Sequence, residues 1–154
     1  MGRSRGGWTT KIHAIVDAKG PPIRLALSPG QAHDASLIDD LLEGLPQGAM
    51  LLGDKAYDAD KIRAMQVERG GWANIPPKIT RASPIVFSRH LYQQRNLIER
   101  FFNKIKHFRR IATRYDKLGD SFLAALKLVA VRLWLRHYES TTYWLEYLPG
   151  RFEC

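Results

Sequence analysis

Apolar and polar positions alternate from Thr9 to Val16, "TTKIHAIV", and β-branched residues dominate the stretch. A period of two with that composition predicts a half-buried strand. "DAKGPP" follows as a turn, with Gly20 able to take positive φ and Pro21 and Pro22 stopping the ladder. Ile23 to Leu27 predicts a second strand and closes a hairpin. "SPGQAHD" is a loop, and Asp34 is placed to cap a helix from Ala35 to Glu43. After "LPQG", Ala49 to Leu52 is a short apolar strand running into Gly53 and Asp54. A helix from Ala59 to Arg69 ends at Gly70 and Gly71. "WANIP" reads as one more short strand and "PKITRASPIVFS" as a loop. Long helices are predicted from Arg89 to Arg110 and from Asp120 to Tyr138, while residues 1–8 read as loose. Strands and helices in this order predict an α/β or α+β domain with one mixed sheet.

Charge changes this picture. The chain of 154 residues, a length that suits one domain, has 24 Lys and Arg against 15 Asp and Glu, a net +9. Nine of those cations and only two acids, Glu99 and Asp116, fall between Arg89 and Lys117. Such a run reads either as a solvated helix face or as a surface for a polyanion, nucleic acid or an anionic membrane. Lys127, Arg132 and Arg136 interrupt the most apolar stretch, Leu118 to Tyr138, and argue for a buried amphipathic helix over a membrane span. The single cysteine, Cys154, excludes an internal disulfide and a Cys-based zinc site, which suits a reducing cytoplasm. The basic start, "MGRSRGGWTTK", has no apolar run behind it and does not read as a signal peptide. The five histidines, at 13, 33, 90, 107 and 137, make no zinc spacing, and His33 beside Asp34 is a weak catalytic candidate. Trp134 and Phe122 read as core, and Trp72 as a packing residue before a base-stacking one.

The lone Glu99 within the basic helix asks for a reason. At 100° per residue Tyr92, Arg95, Glu99 and Lys106 fall within about 60° of one another, while Ile98, Phe101, Phe102 and Ile105 take another face. An exposed Arg95–Glu99 pair would contribute only a few tenths of a kcal/mol, about the least for a pair in this orientation. A carboxylate among cations does suit a place where a metal ion meets phosphate. Mg²⁺ takes oxygen ligands, commonly one or two carboxylates plus substrate oxygens, and two such ions clamp an in-line phosphoryl displacement. Asp54, at the carboxyl end of an apolar strand, is the candidate second carboxylate. Loop capping is its plainer role.

The spacing Tyr92-x2-Arg95-x3-Glu99-x6-Lys106 resembles the Tyr-Arg-Glu-Lys signature of bacterial insertion-sequence transposases with a DDE triad. "GRSRGGWTTKIHAIVDAKG", "LSPGQAHDA", "GDKAYDAD" and "RNLIERFFNKIKHFRRIATRYDK" resemble further segments of that family, in order, over about residues 2 to 137. The resemblance implies an RNase H-like mixed sheet flanked by helices and divalent-metal chemistry, Mg²⁺ or Mn²⁺, that cuts and joins DNA. By it Asp54 and Glu99 are the second and third acids and the metal ligands, and Tyr92, Arg95 and Lys106 lie on double-stranded DNA. Arg109 and Arg110 extend that positive surface. The family's first acid lies upstream of the segment that opens this chain, so the expectation is a partial catalytic domain over 1–138, lacking the central first strand and with two long C-terminal helices. Asp17 reads as a turn residue and Asp34 as a cap, neither as its replacement. A truncated or frame-shifted product would also explain residues 139–154, a tail of unknown role. Expected partners are DNA and a homodimer or full-length transposase. The competing functions are a non-catalytic DNA-binding fragment and a small structural nucleic-acid-binding protein.

Overall fold

The computed structural model describes residues 2–4, 7–32, 37–113, 116 and 118–146, with side chains from 10 to 138. His33, Asp34, Arg114, Lys117 and Cys154 lie outside the described residues. So do Ala35 and Ser36, the first two residues of the helix expected from Ala35.

The predicted hairpin forms from β2 (Gly7–Val16) and β3 (Pro22–Pro29), paired antiparallel with Ile12 opposite Leu27 and Ala14 opposite Leu25. The N-terminal segment is not loose as expected: β1 (Gly2–Ser4) folds back on the start of β2. Asp17 makes the hairpin turn, its Oδ1 accepting from the Lys19 amide at 2.8 Å, and Gly20 takes φ 104°. Pro22 opens β3 and makes the last pair of the ladder, opposite Val16, where the register slips, and Pro21 lies outside the strand. The Pro22 carbonyl accepts from the Trp134 indole N–H at 2.8 Å, so this end of the hairpin is tied to the C-terminal helix.

α1 (Ile38–Leu42) leads to β4 (Met50–Leu52), which pairs parallel with β5 (Trp72–Asn74) across α2 (Asp60–Glu68). Gly71 must be glycine because an added Cβ would sit 2.2 Å from the Ala49 carbonyl oxygen. The two strand groups make a three-stranded and a two-stranded sheet among the described residues, in place of the one sheet expected.

The segment 89–112 is helical but broken. It comprises α3 (Arg89–Tyr92), a 3-10 turn (Gln93–Arg95), α4 (Asn96–Lys106) and α5 (Arg109–Ala112). Phe108 leaves helical geometry at ψ 103°. On one straight helix Phe108 and Ile111 would point about 60° apart. Residues that far apart share one helix face, and across the break both still pack in a single core cluster. α6 (Gly119–Glu146) outlasts its predicted end at Tyr138.

Alternation along β2 builds two cores. Ile12, Ala14 and Val16 pack with Leu25 and Leu27 on a cluster centred on Phe101, Ile105, Phe122 and Leu126, from α4 and α6. Ile15 faces the other way, towards Ile38, Leu42, Ile62, Ala73 and Ile75. The fold is mixed α/β with helices over both faces of the hairpin.

Candidate active site

Asp54 follows β4 by one glycine. It caps the 3-10 turn Lys55–Tyr57, its Oδ1 accepting from the Ala56 amide at 2.8 Å. The capping role weighed from the sequence is therefore real. Oδ2 takes no part in that bond. Gly53 keeps the approach narrow, since a Cβ there would lie 3.3 Å from Ile75 Cγ1.

Tyr92, Arg95 and Glu99 come together as one row. A 3-10 turn eclipses residues three apart, so the Arg95 guanidinium lies 5.4 Å from the centre of the Tyr92 ring. Regular α geometry then places Glu99 one turn on, where its half-exposed carboxylate ion-pairs with Arg95. The pair that sequence reasoning discounted does form. Phe87 packs edge-on to Tyr92 at 5.3 Å and fixes the ring. Lys106 ends α4, exposed, two helical turns beyond Glu99. Arg109 and Arg110 open α5 across the break, so they share no continuous stripe with Lys106. Asp116 accepts from Arg110 at 2.7 and 3.1 Å. That hydrogen bonding raises the Arg110 pKa and lowers that of Asp116, and it compensates part of the positive surface.

Asn74, unremarked in the sequence, relates these parts. It is fully buried at the end of β5, opposite Leu52 of β4. Its amide donates to the Ser88 carbonyl at 3.0 Å, and its Oδ1 accepts from the Ser88 amide at 2.8 Å. Ser88 is the N-cap of α3. The helical segment carrying Glu99 thus starts at the same end of the β4–β5 pair from which Asp54 emerges. A lone Asn in "WANIP" gave no periodic signal for this.

Asp58 is the other residue that sequence reasoning passed over. Its side chain is fully buried. Arg63 donates to Oδ1 at 2.8 and 3.0 Å, Arg81 donates to both oxygens at 3.0 Å, and the Lys78 amide donates at 2.8 Å. Burial pushes this carboxyl up, but the Arg81, Lys78 and Arg63 hydrogen bonds outweigh it and hold its pKa at about 2. Arg63 also reaches the Ala73 and Ile75 carbonyls. One buried charge therefore fastens the loop at 78–81 to the segment after Asp54. The signal available was an Asp inside "AYDAD" and an Arg in the loop "TRAS", too sparse to join.

His13, buried on β2, hydrogen-bonds the Tyr57 hydroxyl through Nδ1 at 2.9 Å and the Ser28 hydroxyl through Nε2 at 2.8 Å. This links the hairpin to the turn that Asp54 caps. Among the described residues no group of three Asp, Glu, His or Cys side chains converges as a metal site. No helix among them is long and apolar enough to cross a membrane.

Comparison with known proteins adds the family. The family model described as "Transposase DDE domain" matches residues 2–134. The chain is 40% identical over 129 residues to a protein of Brucella ovis named as a transposase for insertion sequence element IS6501. That match covers 83% of this chain and 99% of the relative. It is 31% identical over 100 residues to the transposase for IS1106 of Neisseria meningitidis, covering 62% of this chain and 35% of the relative. To a protein of Burkholderia cepacia named as a transposase for IS402 it is 28% identical, covering 82% of this chain and 62% of the relative. No solved structure is a significant match. A match of this extent, on a chain that carries the Tyr-Arg-Glu-Lys row, means that the chain belongs to the DDE transposase family.

Proposed function

We propose that the chain is the RNase H-like catalytic portion of an insertion-sequence transposase, acting on double-stranded DNA. The carrying observation is the Tyr92–Arg95–Glu99 row, on a helical segment clamped by Asn74 to the strand end that bears Asp54. Asp54 and Glu99 supply hard oxygen donors that suit Mg²⁺ or Mn²⁺. When bound, such an ion neutralises charge on phosphoryl oxygens. Arg95, Lys106, Arg109 and Arg110 hold the DNA backbone, with Tyr92 setting the plane of Arg95. Arg95 rests on Glu99; Glu99 would be one of the residues that hold the ion, and Arg95 would then be free for a phosphate.

A paired titration tests this. Without metal, Lys106→Ala weakens binding to unrelated duplexes about equally and flattens the slope of log K against log salt by about 0.9. Glu99→Gln binds as well as the parent or tighter, because it frees Arg95 and removes a negative charge. Weaker binding by Glu99→Gln with unchanged Lys106→Ala would make the row a helix-stabilising feature only.

Glu99 is ion-paired with Arg95 and Asp54 caps a turn, which favours a second reading, a DNA-binding transposase chain that works with a homologous or full-length copy. Supercoiled DNA with Mn²⁺ separates the two. The expected outcome for this chain alone is little or no nicking. Robust nicking lost in both Asp54→Ala and Glu99→Ala would mean that another acid completes the site.

A further inference from the structure

α4 carries a polar row that the proposed site leaves unused. With Asn96 at 0° and 100° per residue, Asn103 falls at about −20°, His107 at about 20° and Arg100 at about 40°. Phe101 and Ile105, buried in the core, fall at about 140° and 180°. The four polar side chains therefore form the outermost line of the helix, and all four are exposed. Among the described residues no hydrogen bond or ion pair engages them. Helix stability does not explain the row. Asn is a poor helix former. Arg100 and Lys104 are like charges four residues apart, which destabilises a helix.

Charge limits what the row can face. Lys104 lies about 70° to one side of it and Lys106 about 90° to the other, both exposed. Glu99 lies between the row and Lys106, and Arg95 ion-pairs with it. On the Lys104 side the hairpin turn approaches Leu97, whose Cδ2 is 3.7 Å from where a Gly20 Cβ would stand, and there Lys19 offsets the charge of Asp17. Positive edges thus flank a line of groups that can donate and accept hydrogen bonds. Duplex DNA has the complementary arrangement. Its major groove admits one α-helix and presents base edges between two phosphate backbones. Asn pairs with adenine there and Arg with guanine, each through two hydrogen bonds. The ring nitrogens of His107 can donate or accept. We infer that Asn96, Arg100, Asn103 and His107 read base edges in the major groove, with Lys104 and Lys106 on the phosphates of its two walls. Tyr92, Arg95 and Glu99 lie on the Lys106 side, so the bases read adjoin the phosphate held there. Asn96 and Asn103 stand about 10 Å apart along the axis, or about three base pairs. The preferred sequence then holds two adenines at that separation with a guanine between them. This inference rests on the DNA reading above and adds base recognition, which phosphate contacts do not supply.

The full chain and an Asn96→Ala/Asn103→Ala double variant each select from a pool of duplexes with a randomised core of about twelve base pairs, enough for the site. Both substitutions favour the helix, and far-UV circular dichroism checks that it is kept. The parent is expected to enrich the motif and to bind the selected duplex at least about tenfold tighter than the unselected pool. The double variant is expected to lose most of that ratio, with an unchanged slope of log K against log salt, because no cation is removed. Arg100→Gln is expected to relax the guanine position alone. Binding to the pool with an ordinary salt slope but no enrichment would sink the inference and leave the DNA reading standing. No binding to the pool even at low salt would remove both. A motif that both variants still select would place base recognition elsewhere and overturn the assignment. So would equal enrichment from a single-stranded pool, which has no groove to enter.

Discussion

Asp58 shows how one residue can matter without belonging to a recognisable pattern. Removing one partner of a buried charge pair costs about 3–5 kcal/mol, because the remaining charge stays desolvated. Arg63 and Arg81 keep some solvent contact, so Asp58→Ala is expected at the lower end, about 3 kcal/mol in urea denaturation. The pH dependence has a definite sign. The folded carboxyl titrates near 2 and the ordinary value is 3.8. Its stabilisation is therefore full above pH 4 and is lost as pH falls through 2. The difference amounts to about 2 kcal/mol. The stability gap between parent and Asp58→Asn should narrow between pH 4 and pH 2. A constant gap over that range would show that the network contributes packing rather than charge. Asp54 and Glu99 stood out as candidates at this scale because acids among cations, or after an apolar strand, are locally odd. Asp58 and Asn74 were not, because their partners lie 5 to 23 residues away.

Elements were legible where one period ruled. The hairpin, β4, α2 and β5 follow their predicted bounds closely, since alternation, Gly turns and the Gly70–Gly71 stop act locally. The helix over 89–110 was not legible as broken, because Phe108 and Ile111 obey helical spacing individually. Their spacing fits an unbroken helix as well as the observed one, so it carries no sign of the break at Phe108. α6 forms where it was expected and buries one face, but it runs past Tyr138, and Leu128, Val131 and Leu135 are exposed although apolar. The start of α3 depends on a side chain from β5. Asn74→Ala would leave the Ser88 amide and carbonyl without that amide partner, at a cost of about 1–3 kcal/mol. Amide hydrogen exchange should then quicken most at residues 88–95, with α2 little changed. Uniform loss of protection would mean that Asn74 supports β5 itself and not the helix.

Across the whole molecule the two cores meet at β2, one against its even-numbered side chains and one against Ile15. The sequence carried both rows of that strand, but nothing local told that the second would face a cluster built by α1, α2, β4 and β5. One polar tie between the halves is the chain Ser28–His13–Tyr57, with Tyr57 one residue from Asp58 and three from Asp54. Tyr57→Phe keeps the ring and removes the hydroxyl that His13 Nδ1 meets. Losing one buried hydrogen bond costs about 0.5–1.5 kcal/mol, up to roughly tenfold in a local opening equilibrium. The loss should be unequal, because the Phe101 cluster keeps all its contacts. Hydrogen exchange in β4, α2 and β5 is expected to rise by up to about tenfold while α4 and α6 hold their protection. Under the proposed function, DNA binding assigned to Lys106 and Arg109 should survive, and metal binding assigned to Asp54 should weaken, since the turn that Asp54 caps loses its anchor on the hairpin. If exchange rises equally in both cores, the two halves form one cooperative unit and the His13–Tyr57 bond is only one contact among many.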